Sequence, residues 1–167
     1  EGSLHLLNEI PDYDNLVKVH SLFEEFKPNE LFDTIILEHI LEHVEDPIAL
    51  MKTVKKLLAP DGRIFLGVPN ANSIHRLAAV KMGLLQEPCE LNSRDISVGH
   101  RRVYTHETFK KDVIASGLNI HEIGGVFFKP LSNGQIENNW DEKMIQGFFE
   151  LGKDFPELSA EIFVVCS

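Results

Sequence analysis

Residues Phe32 to Asn70 read FDTIILEHILEHVEDPIALMKTVKKLLAPDGRIFLGVPN, and their grammar of strand, loop, helix, turn and strand decides the architecture. Phe32 to Leu37 is an apolar run without alternation, as expected of a strand covered on both faces. Asp46-Pro47 supplies an N-cap acceptor followed by proline at the first helical position, where its missing N–H costs nothing. Ile48, Leu50, Met51, Val54, Leu57 and Leu58 then recur at helical spacing, with Lys52, Lys55 and Lys56 near the C-terminal end. Pro60-Asp61-Gly62 is expected to stop the helix and turn the chain, and Arg63 to Val68 is the second apolar strand, closed by Pro69. The unit is βαβ, which implies a parallel sheet and a right-handed crossover.

FDTIILEHILEHVEDP, the following LLAPDGRIFLGVPN and the later GHRRVYTHETFKKDVIASGL together resemble the second half of a class I methyltransferase dependent on S-adenosylmethionine, in the group that includes the ubiquinone-biosynthesis O-methyltransferases. The resemblance implies a Rossmann-like α/β fold: a mostly parallel sheet with flanking helices and an antiparallel last strand between the fifth and sixth. It covers most of the chain but not the family's first strand and Gly-rich loop, which appear nowhere in these residues. With no methionine at position 1, the chain reads as part of a larger protein. Residues 1–167 are expected to form one methyltransferase domain, the C-terminal larger part, with a substrate-lid insertion around 71–104.

The bulk numbers narrow the function. A chain of 167 residues with 43% hydrophobic and 25% charged content is an ordinary globular one with room for a core. A formal charge of −10 argues against nonspecific binding to nucleic acid or an anionic membrane, which draws on clustered Lys and Arg. No apolar run approaches the ~20 residues that span a bilayer. Cys89 and Cys166 lack metal-type spacing, so a reduced, cytoplasmic protein is the simplest expectation. An incomplete sheet with an open edge can pair with a second copy.

Along the chain, Ser3 is expected to cap a short helix to about Ile10, and Leu16 to His20 reads as a strand. Ser73 is expected to cap a helix from Ile74 to about Leu85, and Gln86 to Val98 reads as a loop or lid. Thr105 caps a helix from His106 to Ser116, stopped by Gly117 in the left-handed region. Leu118 to Ile123 and Val126 to Phe128 are strand-like around Gly124-Gly125, where a bulge is expected. Leu131 to Asp141 is a polar excursion, Met144 to Leu151 a short helix, and Glu161 to Cys166 the closing strand.

In an open parallel sheet ligands bind outside the carboxyl ends of the strands. The resemblance puts the ribose of S-adenosylmethionine at Glu1-Gly2, since a carboxylate at a strand end can grip a vicinal diol twice. It puts the adenine at Ser21, Leu22 and Phe23, and the methyl end at Glu38 and His39. Two readings of His39-x-x-Glu42-His43 stay open. In one these residues hold a divalent metal, as Glu-x-x-Glu-His does in some members of the family; His in place of the first Glu would favour a softer ion. In the other the loop is metal-free, with His39 facing substrate.

Methyl transfer is an in-line displacement whose sulfonium leaving group carries the driving force. Catalysis is then mostly alignment plus removal of one proton. An imidazole near pKa 6.5 suits that task, so His39 is the general-base candidate, with His100 as a second catalytic candidate. Arg101 and Arg102 are candidates to hold an anionic group of the substrate, and Tyr104 to line its pocket. The expected function is methyl transfer to O or N of a small molecule. The rivals are an inactive methyltransferase-like binding module and a nicotinamide-dependent oxidoreductase, whose Gly-x-Gly-x-x-Gly is absent from these residues.

Overall fold

A computed structural model describes residues 1–167 in two units, Glu1–Leu31 and Phe32–Ser167. In the first, Ser3 accepts from the Leu6 N–H and caps helix α1 (Leu4–Glu9) as its sequence position predicts. The strand expected over Leu16–His20 is absent. One parallel rung stands in its place: the Glu1 N-terminal amine donates to Val19 O (3.1 Å) and Ser21 N–H to Glu1 O (3.1 Å). Helix α1 begins at Leu4, which ends this pairing on the C-terminal side of Ser3.

The second unit is built around a four-stranded sheet in the order β1-β2-β4-β3. Strand β1 (Phe32–Glu38) leads through its exit loop to α2 (Pro47–Lys55), which Asp46 caps by accepting from Ala49 N–H. Strand β2 (Leu58–Pro69) returns parallel to β1. Pro60-Asp61-Gly62 is not a turn ahead of this strand but a bulge within it, since Phe32 pairs with Leu58 while Thr34 pairs with Arg63. Asp61 absorbs the kink at φ +65°.

Helix α3 (Ile74–Lys81) follows, ending earlier than expected where Gly83 takes φ +73°. Ser73 precedes it but makes no capping hydrogen bond. The expected lid loop contains α4 (Ser93–Ser97), closed by a reciprocal capping box of Asn92 and Asp95. Helix α5 (His106–Ala115) has its Thr105 cap and its Gly117 stop at φ +83°. Strand β3 (Ile120–Val126) runs unbroken through Gly124 and Gly125, its bulge falling at Ile120/Glu122 instead. Those glycines serve close approach. A Cβ on Gly124 would lie 2.6 Å from the Phe163 ring, and one on Gly125 would lie 2.3 Å from Pro156 O.

The polar excursion after β3 holds α6 (Asn133–Asn139), and α7 (Glu142–Asp154) is longer than its apolar centre suggests. Strand β4 (Glu161–Cys166) runs antiparallel between β2 and β3, as expected, so three strands share one direction and one opposes them.

Leu37, Ile64, Leu66, Ile162 and Val164 of the sheet form one buried cluster with Leu50 and Met51 of α2 and Phe109 and Val113 of α5. Each such side chain contributes about 2 kcal/mol on burial. The expectation that β1 is covered on both faces fails. Helices α2 and α5 take the face of Leu37, whereas Ile36, pointing the other way, is 66% exposed beside Phe65. No helix is long and apolar enough to cross a membrane.

Candidate active site

Strands β1, β2 and β3 end at Glu38, Pro69 and Val126, and β4 begins at Glu161. Because β4 is reversed, Glu161 pairs with both Pro69 and Val126. Four strand termini therefore meet on one rim, the side where open α/β sheets receive ligands. The chain leaves β1 through His39 at φ +53°, with its N–H donating to Gly67 O at 3.1 Å. A left-handed φ at a non-glycine costs on the order of 1 kcal/mol. Here it turns the imidazole into a ring of carboxylates.

His39 Nδ1 lies 3.0 Å from Glu42 Oε1, while Nε2 is 3.6 Å from Glu38 Oε1 and 3.7 Å from Glu161 Oε2. The hydrogen bond with Glu42 is the largest cause of a pKa raised to about 9; partial burial opposes it, and the charges of Glu161, Glu42 and Glu38 add to it. The imidazole is thus protonated at neutral pH, and a free ring near 6.5 is not what this position offers. Glu161 moves the other way for its class. Burial pushes its carboxyl up to about 7, against the pull of His39 and Lys129, and its buried Oε2 accepts no hydrogen bond.

The candidate metal group is rearranged. Glu42, His43 and His100 each place a ligand atom within 4.8 Å of the others, so His100 joins and His39 drops out, bound instead to Glu42 Oε1. Glu42 is fully buried with Oε2 unpartnered, and the His43 and His100 rings meet edge to face with centroids 4.7 Å apart. One carboxylate with two imidazoles fits a divalent transition ion better than Mg²⁺. Burial lowers the pKa of His100, which favours the neutral, ligating form. Its Nδ1 is 3.4 Å from Asp95, itself bound to Arg76 at 3.0 Å.

Arg101 and Arg102 face the loop rather than a ligand. Arg101 Nε donates to His43 O (3.0 Å). Arg102 donates to Leu41 O (2.8 Å), Val44 O (2.6 Å) and Glu45 O (3.0 Å). They fasten the Glu42–His43 segment by its backbone, which removes Arg102 as a substrate anchor. Tyr104 is also not a lining residue: it is buried in the core beside Phe109, its hydroxyl donating to Asp112 at 3.2 Å.

In the first unit the rung described above joins Glu1 to the Val19–Ser21 segment, and Leu22 Cδ2 lies 3.0 Å from where a Gly2 Cβ would stand. Glu1, Gly2, Ser21 and Leu22 are thus brought together. One Glu1 oxygen accepts from Ser3 N–H at 2.8 Å, and Phe23 is 39% exposed.

A cavity of about 360 Å³ opens at the rim of the second unit, lined by His39, Asn70, His75, Arg76, Arg94, Asp95, His100, Lys129 and Glu161 among others. Glu161, Lys129, Arg94 and His75 are absent from the sequence-derived candidates. Glu161 had a readable signal: a reversed last strand must start on the rim where its neighbours end.

Residues 5–123 match a family model for a methyltransferase domain. The ubiquinone biosynthesis O-methyltransferase of Rhizobium etli is 32% identical over 124 residues, covering 74% of this chain and 48% of that relative. The enzyme of the same name from Aeromonas salmonicida is 26% identical over 103 residues, 61% of this chain and 42% of the relative. This chain spans about half the length of the curated relatives it matches. Among solved structures, an S-adenosylmethionine-dependent methyltransferase from Mesorhizobium loti shares the fold with a TM-score of 0.61 at 16% identity, covering 99% of this chain and 77% of that one. The FDTIIL–GVPN unit, the reversed closing strand and the match over residues 5–123 agree: the chain belongs to the class I methyltransferase family.

Proposed function

We propose that the protein to which this chain belongs transfers a methyl group from S-adenosylmethionine to an oxygen or nitrogen of a small molecule held in the rim cavity. The O-methyltransferase names of the relatives favour oxygen. Glu161 carries the reading: a carboxylate with a buried, unpartnered oxygen, 3.7 Å from His39, opening onto a polar cavity at the strand-end rim.

Bound S-adenosylmethionine supplies a methyl group on a sulfonium that departs as a neutral thioether. Glu161 takes the proton of the acceptor hydroxyl or amine, and the His39 imidazolium keeps the receiving carboxylate in place. Within the second unit, Glu38 with His39 takes the methyl end. Glu42, His43 and His100 would hold a divalent ion, whose chemistry would be to polarise the acceptor oxygen. The segment from about 71 to 104 forms the lid, contributing His75, Arg94 and His100 to the cavity wall. Free thiols at Cys89 and Cys166 accord with a cytoplasmic site.

The test is release of S-adenosylhomocysteine by the complete protein with a panel of small phenols and amines. Glu161→Gln should lower kcat by about 10²–10⁴-fold, the range of a general base, with cofactor affinity unchanged. Full activity in that variant would refute the role of Glu161.

A further inference from the structure

We propose that the rim cavity recognises its ligand by an anionic group, a carboxylate or a phosphate, held between Lys129 and Arg94. The inference rests on the methyl-transfer reading only in calling that ligand the acceptor.

The chain is strongly acidic, at −10, yet the charged residues lining this cavity lean the other way: Arg76, Arg94, Lys129 and His39 against Asp95 and Glu161. Arg76 has its partners within the chain. It is buried, 3.0 Å from Asp95 Oδ2, and it donates to Pro88 O (2.9 Å) and Glu90 O. His39 is ringed by carboxylates.

Lys129 and Arg94 differ. Neither has a carboxylate within ion-pair distance, and the Lys129 ammonium has one hydrogen bond, to Asn133 Oδ1 at 2.9 Å. The guanidinium of the exposed Arg94 has no hydrogen-bond or ion-pair partner in the chain; burial pushes the Lys129 pKa down, the Glu161 charge opposes this, and the Arg94 charge adds to the lowering. Desolvating one ammonium beside a second cation is unfavourable. An anion between them removes both costs, and a guanidinium can take an oxyanion in bidentate fashion.

His75 adds no charge, because burial lowers its pKa to about 4. Its Nδ1, buried without a partner, gives the cavity one more hydrogen-bonding atom. With Glu161 on the same wall, a single ligand reaches from the cation pair to the proton acceptor. The volume of about 360 Å³ lies at the small end of ligand sites. A compact hydroxy acid, amino acid or phosphate ester meets all three requirements.

Benzoate, its neutral isostere benzamide, and inorganic phosphate can be titrated into the protein without any adenosyl compound, with binding followed by amide NMR shifts around residues 92–98 and 127–133. Benzoate, phosphate or both should bind, and benzamide should not. Lys129→Met and Arg94→Gln should each weaken the anion by about tenfold, ~1.4 kcal/mol, while Lys129→Arg retains it and the rest of the spectrum confirms the fold. Phosphate binding without benzoate assigns a phosphate-bearing ligand; benzoate alone assigns a carboxylate. Equal binding of benzamide, or no effect of either charge-removing variant, overturns the proposal. Affinity for S-adenosylhomocysteine is measured separately: its failure beside intact anion binding defeats the methyl-transfer reading alone, and the reverse pattern defeats this one alone.

Discussion

Glu161 and His75 set opposite pH trends in stability. The folded state raises the Glu161 carboxyl to about 7, above the ordinary value of about 4.5 for an unfolded chain. Its contribution is therefore fully present below pH 4.5 and lost as pH rises through 7. Glu161→Gln should raise the melting temperature by a few degrees at pH 8 and leave it little changed at pH 4.5. For the native protein, the rate of methyl transfer should climb through an apparent pKa near 7. His75 is held neutral, its pKa lowered to about 4. The unfolded chain then binds more protons between pH 6.5 and 4, so acidification across that window destabilises the fold. His75→Gln should flatten this limb of a Tm-versus-pH curve, and an unchanged limb would place the buried proton linkage elsewhere. Neither trend is legible in sequence order, because the groups that move Glu161 come from the exits of β1 and β3.

The exit loop of β1 is an element without regular structure, and its order comes from outside. Arg102 alone takes three of its carbonyls. Hydrogen bonds from a charged donor are worth roughly 1.5–3 kcal/mol each and do not add fully. Arg102→Leu should lower unfolding free energy by about 3 kcal/mol in urea titrations, and Arg102→Lys should recover little, having no planar fork. The helices that sequence reading located correctly, α2 and α5, carry their start and stop signals locally: Asp46-Pro47, and Thr105 with Gly117. Those it missed, α4 and α6, are short and polar and are closed by capping boxes without an apolar stripe. Pro60-Asp61-Gly62 suits a turn and a bulge equally well in sequence, and only pairing with β1 distinguishes them.

For the molecule as a whole, the βαβ unit and the reversed last strand were legible because each rests on an apolar run with its own boundaries. The site was less so. His100 reaches Glu42 only through the fold, and nothing in the sequence shows that Arg101 and Arg102 spend their guanidinium groups on loop carbonyls. One packing detail reaches beyond stability. A Cβ on Gly152 of α7 would stand 2.7 Å from the Phe127 backbone nitrogen, just as one on Gly125 would strike Pro156, and Phe127 itself turns at φ +62° two residues before Lys129. Gly152→Ala should cost about 1–3 kcal/mol and shift the loop carrying Lys129. A saturation library scored for folding and for acceptor preference should therefore split cleanly. The walls around Arg94 and Asn133 would be free to drift toward new chemistries, while Gly125 and Gly152 would accept larger side chains only at a cost in folding, a stiff mount under an adjustable front.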